Sequence, residues 1–326
     1  MRVLATAFAL LMALSQSAAQ TGEPQPVVEE PTFSTDVRVV NVVATVKDRS
    51  GRLVSTLGKE DFILSEDGVR QEIRYFAHQT DLPLTIGLLI DTSGSQQALI
   101  PDERRAGSHF FRSVLRPEKD LAFLMSFDRN VELLQDYTSS QRLLERGLDE
   151  LQVEVPTGGF HPNPTGNKKQ TSTALHDALY LAADELFRNQ VGRKAVVVIS
   201  DGFDVGSKVK LKAAIEAAQR SDVVVYTIQY IDRQFTRGSQ VFYHGSGTGT
   251  LKKMATETGG SFFTVSRNMR LATIFQQIED EMRSQYSIGY SPEEEPGQTG
   301  FRKITLKSPR KDVRIQARAG YYPDAI

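Results

Sequence analysis

Unbroken apolar runs of strand length punctuate the middle of the chain, at residues 84–90, 121–125, 195–199 and 223–228. Such runs suit strands covered on both faces, because a half-solvated strand would alternate apolar with polar side chains. Amphipathic stretches separate them, at 102–115, 142–151, 174–187, 211–219 and 251–256, and a last one at 271–282 leads toward the C-terminus. This strand-then-helix rhythm predicts an α/β fold: a doubly wound, mostly parallel sheet with helices on both faces. Ligands of such sheets sit beyond the carboxyl ends of the strands, so candidate chemistry belongs there.

The two ends of the chain follow a different pattern. Between 37 and 76, Val37, Val39, Val40, Val42, Val43 and Val46 precede the turn Asp48-Arg49-Ser50-Gly51, and Phe62-Ile63-Leu64 precede Glu66-Asp67-Gly68. Near the other end Tyr286, Ile288 and Tyr290 alternate with small residues, and Ile304 and Leu306 are predicted to pair with Val313 and Ile315 across a Ser308-Pro309 turn. Neither piece is large enough to bury a core alone. They are therefore predicted to form one small discontinuous β-sandwich, with halves at 33–80 and 286–322 and the α/β domain, 83–285, inserted between them.

The chain has 326 residues, 40% hydrophobic and 24% charged, enough for one large or two modest globular domains. Its formal net charge of -1 supplies no global attraction to nucleic acid or anionic lipid. The absence of Cys excludes disulfides, Cys-ligated zinc, iron–sulfur clusters, thiol nucleophiles and a lipoprotein anchor. Residues 1–19 read as a secretory signal: Arg2 gives a positive start, 3–14 an apolar core, and Ser17-Ala18-Ala19 a small-residue cleavage site. That apolar core is shorter than the roughly 20 residues a membrane-spanning helix needs. Residues 20–32, rich in Pro and Glu, read as a flexible lead-in. The expected location is the periplasm or the exterior, with no transmembrane segment in the mature chain.

The run Ile90-Asp91-Thr92-Ser93-Gly94-Ser95 closes the first central strand, and in an extended loop Asp91, Ser93 and Ser95 point to one side. Hard cations such as Mg²⁺ take oxygen ligands and usually keep some water, which a carboxylate with two hydroxyls suits. The run 195–199 ends in Ser200-Asp201-Gly202, placing a second carboxylate at the same sheet edge, and Thr173 offers a further hydroxyl at the start of a helix. Each piece alone has an ordinary explanation: a strand-end Asp is more often a helix cap, Asp-Gly a turn, and Thr173 another cap.

Together, "LPLTIGLLIDTSGS", "TSTALHDAL" and "AVVVISDG" resemble the von Willebrand factor A superfamily and its metal-ion-dependent adhesion site, over roughly residues 84–285. That resemblance implies a Rossmann-like fold and a metal held by Asp91, Ser93, Ser95, Thr173 and Asp201, the last through water. The chain departs from the family pattern with Thr171-Ser172 where Gly-Gly is common, so Thr171 competes with Thr173. The loop 153–170 is expected to lie beside the site. The segments "VATVKDRSGRLV", "EDFILSEDG" and "ARAGYYP" extend the resemblance to the exported bacterial proteins called VWFA-related, whose architecture this implies more than their role.

On this reading the cofactor is a divalent cation, Mg²⁺ first with Mn²⁺ or Ca²⁺ as alternatives. The chain is expected to be a non-enzymatic, adhesion-type protein-binding module whose partner offers an Asp or Glu, with no nucleic acid involved. Two alternatives stand beside it: a metal-assisted phosphoryl hydrolase using Asp91 as nucleophile, and a structural envelope protein whose metal only braces the loops. His78, His109, His161, His176 and His244 are too scattered for a zinc site. The stretch 244–250 lacks the Lys-Ser/Thr ending of a phosphate loop and reads as a surface loop, and Asp204 as a solvated loop residue. The basic residues between 302 and 318 read as the solvent face of a hairpin.

Overall fold

A computed structural model describes residues 39–78, 82–152, 173–232, 247–292 and 300–323. The signal and lead-in segments, Thr171 and the loop 153–170 lie outside the described residues. The first strands are β1 (Val40–Asp48), β2 (Ile63–Glu66), β3 (Val69–Gln71) and β4 (Tyr75–His78).

The central sheet follows, with strands β5 (Leu84–Asp91), β6 (Leu121–Phe127), β7 (Val131–Thr138), β8 (Arg193–Ser200), β9 (Val223–Gln229) and β10 (Phe262–Thr264). Their order is β10-β9-β8-β5-β6-β7, parallel throughout except for the antiparallel edge strand β7. Every residue of β5 and β9 is buried, which is why those segments are unbroken apolar runs. The helices are α1 (Ile100–Val114), α2 (Gln141–Asp149), α3 (Leu175–Leu181, continuing as a wider π turn to Phe187), α4 (Leu211–Arg220), α5 (Thr248–Thr258) and α6 (Leu271–Arg283). One core packs α1, α2 and α6 on one face of the sheet; a second packs α3, α4 and α5 on the other. This is the doubly wound arrangement that the apolar pattern predicts.

An acidic clip seats the start of β5. The buried Asp120 carboxylate accepts the Leu84 N–H at 2.9 Å, the Arg116 N–H at 2.9 Å, and Arg116 Nε and Nη2 at 2.8 and 2.7 Å. Burial pushes this carboxyl upward, but the bonds from Arg116 and Leu84 outweigh it and hold the group below its ordinary range. A carboxylate depressed in the folded state adds stability above the unfolded value of about 3.9, and loses it as pH falls through the folded value. Asp120→Asn is therefore expected to cost about 1–3 kcal/mol at pH 7. Urea melts should show the gap between the two proteins closing once pH falls below about 4; a gap constant from pH 7 to pH 3 would contradict this.

The last strands are β11 (Tyr286–Tyr290), β12 (Arg302–Lys307), β13 (Val313–Ala317) and β14 (Gly320–Tyr321). With the first four they form two four-stranded sheets, β13-β1-β11-β4 and β14-β12-β2-β3, sharing a core that includes Val42, Val46, Leu64, Ile288 and Ile304. The predicted hairpin between β12 and β13 is not formed. Ile304 and Leu306 face Glu66 and Leu64 of β2, whereas Val313 and Ile315 face Asp48 and Val46 of β1. Alternation specifies which face of a strand is buried, not which sheet it joins. Sending β12 and β13 to different sheets lets each complete one layer.

The basic residues near the C-terminus are likewise more than a solvent face. Arg302 bonds the buried Glu66, which also accepts the hydroxyls of Tyr290 and Tyr321. Arg318 pairs with Asp222, at the turn between α4 and β9. The helix α6 runs almost directly into β11, and its buried Glu281 accepts Lys47 Nζ of β1 at 2.6 Å and Ser261 Oγ at 2.6 Å. These contacts tie the last helix of the central domain to the sandwich.

Candidate metal site

The parallel register fixes where the two acidic strand ends meet. Ile90 of β5 pairs with Ile199 of β8, so Asp91 emerges beside Ser200 and Asp201 at one rim of the sheet. Asp91 is fully buried; its Oδ1 accepts the Ser93 N–H at 2.9 Å and its Oδ2 accepts Ser200 Oγ at 2.6 Å. Ser93 Oγ lies 3.1 Å from Ser95 Oγ, and Ser95 Oγ donates to Asp201 Oδ2 at 2.8 Å. Asp201 Oδ1 accepts the Phe203 N–H at 3.0 Å. Four of the five predicted residues thus form one hydrogen-bonded group.

The fifth, Thr173, is buried at the start of the segment leading into α3. Its backbone exchanges hydrogen bonds with Val205, in the loop that follows Asp201. No side-chain hydrogen bond among the described residues ties Thr173 to the other four, so its place is set by the backbone bridge.

The electrostatics favour a cation. Burial first, and the neighbouring Asp201 second, push the Asp91 carboxyl up to about 7. Burial also raises Asp201, against the bonds from Phe203 and Ser95 and the nearby Gln96. Among the described residues, no basic side chain is a main cause of either shift. Two buried carboxylates without a positive partner are costly, and a bound cation supplies the missing charge. The donors also fit a hard ion. Ser95 spends its proton on Asp201 and keeps its lone pairs, and each Asp91 oxygen has a further lone pair beyond the bond it accepts. Among the described residues no three His, Cys, Asp or Glu side chains gather to hold a metal, so any such site here depends on hydroxyls beside its two carboxylates.

Several supporting residues escape a reading of the sequence alone. Ser200 fixes Asp91 while its oxygen accepts the Gly202 N–H at 2.9 Å. Gln229, at the end of β9, donates to the Asp201 carbonyl at 3.2 Å and to Thr248 Oγ1 at 2.9 Å. Asp204, expected in solvent, instead accepts the His176 N–H at 3.1 Å and bonds Ser207, fastening the loop after Asp201 to the start of α3. The described end of the glycine-rich stretch packs against the site. Gly247 caps α5 and lies against Gly202, whose φ of +88° favours glycine. Glu103 of α1 is also buried close to Asp91.

Residues 86–277 match the family model of the von Willebrand factor type A domain. The chain belongs to that family. No curated protein matches the chain. Among solved structures, the chain is similar to proximal thread matrix protein 1 from the mussel byssus, at 16% identity and a TM-score of 0.47, over 67% of this chain and 51% of that one. The chain thus spans about half the length of the mussel protein, which has also been solved with zinc occupying its MIDAS motif. The vWF domain of the type V pilus tip protein Mfa5 from Porphyromonas gingivalis matches at 14% identity and a TM-score of 0.46, over 63% of this chain and 96% of that one. A von Willebrand factor type A protein from Catenulispora acidiphila matches at 10% identity and a TM-score of 0.46, over 89% and 75%. No described helix is long and apolar enough to cross a membrane.

Proposed function

We propose that this VWA protein is a cation-dependent protein-binding module acting outside the cytoplasm. Asp91, Ser93, Ser95 and Thr173 hold one divalent cation, Mg²⁺ in the first instance, with Asp201 reaching it through water. A coordination position left open to solvent takes an Asp or Glu carboxylate of a protein partner. The observation that carries this reading is the convergence of Asp91 and Asp201 from two neighbouring strands, bridged by Ser93 and Ser95, with no basic side chain among the described residues to neutralise them. The cation would supply a positive charge facing outward from a rim that is otherwise acidic. The protein's own side chains orient it and leave it under-neutralised when Asp201 stands one water away.

The reading favours binding over catalysis. The Asp91 oxygens are engaged by Ser93 and Ser200, and a buried carboxylate so held is poorly placed to act as a nucleophile. Immobilised protein should retain the same species from an envelope extract in Mg²⁺ and release them to a chelator, and an Asp91→Ala column should retain none of them. A short acidic peptide at millimolar concentration should compete. Retention that ignores both the chelator and the substitution would remove the basis for a cation-mediated contact.

A further inference from the structure

Helix α1 buries one face made of Ile100, Glu103, Ala106, Gly107, Phe110, Phe111 and Val114. Six of these seven suit a packed interior; Glu103 does not. Its side chain is 0% exposed, and neither carboxyl oxygen has a hydrogen-bond partner among the described residues. Buried polar groups are almost always paired, and an orphaned one calls for a water or an ion. Asp91 and Asp102, both of its own sign, act on Glu103 electrostatically. Asp102 is occupied elsewhere, accepting Tyr230 Oη at 2.9 Å. Asp91 belongs to the site that also holds Asp201.

We propose that Glu103 is a positioning residue for the cation at Asp91, reaching it through water from the protein side and setting how tightly the ion is held. This rests on the cation reading given above. Asp91, Asp201 and Glu103 do not lie close enough together to grip one ion directly, which is why the contact runs through water. A water with Glu103 as acceptor on one side and the cation on the other would satisfy the orphaned oxygens and orient the ion's inner hydration. Being fully buried, Glu103 cannot be reached by a partner, so its effect falls on the cation rather than on the capture step.

The test is a calorimetric titration with Mn²⁺ of four full-length proteins: wild type, Glu103→Gln, Glu103→Met and Asp91→Ala. The Gln variant keeps the shape and removes the charge; the Met variant keeps the length and removes both acceptors. Each Glu103 variant should bind Mn²⁺ about 10- to 100-fold more weakly than wild type, the range for losing an outer-sphere partner, while melting no lower than wild type in the absence of metal. Should either variant fail to fold, the other decides. Wild-type Mn²⁺ affinity in a folded Glu103 variant overturns the proposal and leaves the cation reading intact, provided Asp91→Ala abolishes binding. Absence of Mn²⁺ binding by the wild type overturns both.

Discussion

Asp91→Ala should abolish the stabilisation that a divalent cation gives the wild-type protein, and should leave the metal-free protein no less stable. The first effect follows from linkage. A ligand present at about 100 times its dissociation constant adds about 2.7 kcal/mol to the folded state, equivalent to a rise of roughly 5–10 °C in melting temperature for domains of 150–250 residues. The second follows from burial. Asp91 is fully buried beside Asp201 with its carboxyl pushed upward, so its ionised form opposes folding when no cation is present. Above the unfolded value, a group raised in the folded state lowers stability as pH increases. Removing the carboxylate lifts that burden, at the expense of the bonds from Ser93 and Ser200. Differential scanning calorimetry at pH 7 with and without Mg²⁺ reads both. A Mg²⁺-induced shift of the same size in both proteins would contradict the assignment.

Gly202→Ala should be strongly destabilising. Its φ of +88° is disfavoured for any other residue, and a Cβ there would stand 2.5 Å from the Gly247 carbonyl oxygen, which is backbone and cannot swing away. The left-handed conformation alone costs about 1–2 kcal/mol, and overpacking adds about 1–3 kcal/mol. A combined loss of about 3 kcal/mol would lower the melting temperature by roughly 6–12 °C. It would also move the Asp201 loop, weakening cation binding along with stability. Gly249→Ala is the matched control. It lies one residue into α5 with open space around its Cβ, so a change within about 0.5 kcal/mol, or a slight gain from better helix propensity, is expected. Equal melting of the two variants would show that Gly202 and Gly247 do not constrain the rim.

The central sheet was legible in the sequence for a definite reason. Strands β5, β6, β8 and β9 are covered on both faces, and only an unbroken apolar run satisfies such a position. The edge strand β7 was missed because it is largely solvated: Glu132 and Asp136 interrupt it, and Leu133 is exposed. The short strand β10 offers only three residues of signal. Residues Asp91, Ser93, Ser95 and Asp201 could be singled out because each follows an apolar run at a spacing that constrains the loop. Their supports could not be, since nothing in the sequence tells Ser200 or Gln229 from any polar residue at a strand end.

Glu103 carried a signal that a local reading discards. It sits in the run Asp102-Glu103-Arg104-Arg105, which looks like the solvated first turn of a helix. Its phase with Ile100, Gly107, Phe110 and Val114 nevertheless marks it as inward-facing. A charged residue in phase with a buried stripe is a local rule broken, and such breaks concentrate where function is built. The swapped pairing of β12 and β13 had no comparable signal, because strand partners at long sequence separation leave no trace in alternation.

The most direct test of a cation at the strand ends is an anomalous-difference map from crystals of the full-length protein soaked in Mn²⁺. The predicted result is one strong peak within coordination distance of Asp91, Ser93 and Ser95, one water away from Asp201, with a position facing solvent that no side chain of this molecule fills. A peak elsewhere, or none at that rim in a protein shown to be folded, would contradict it.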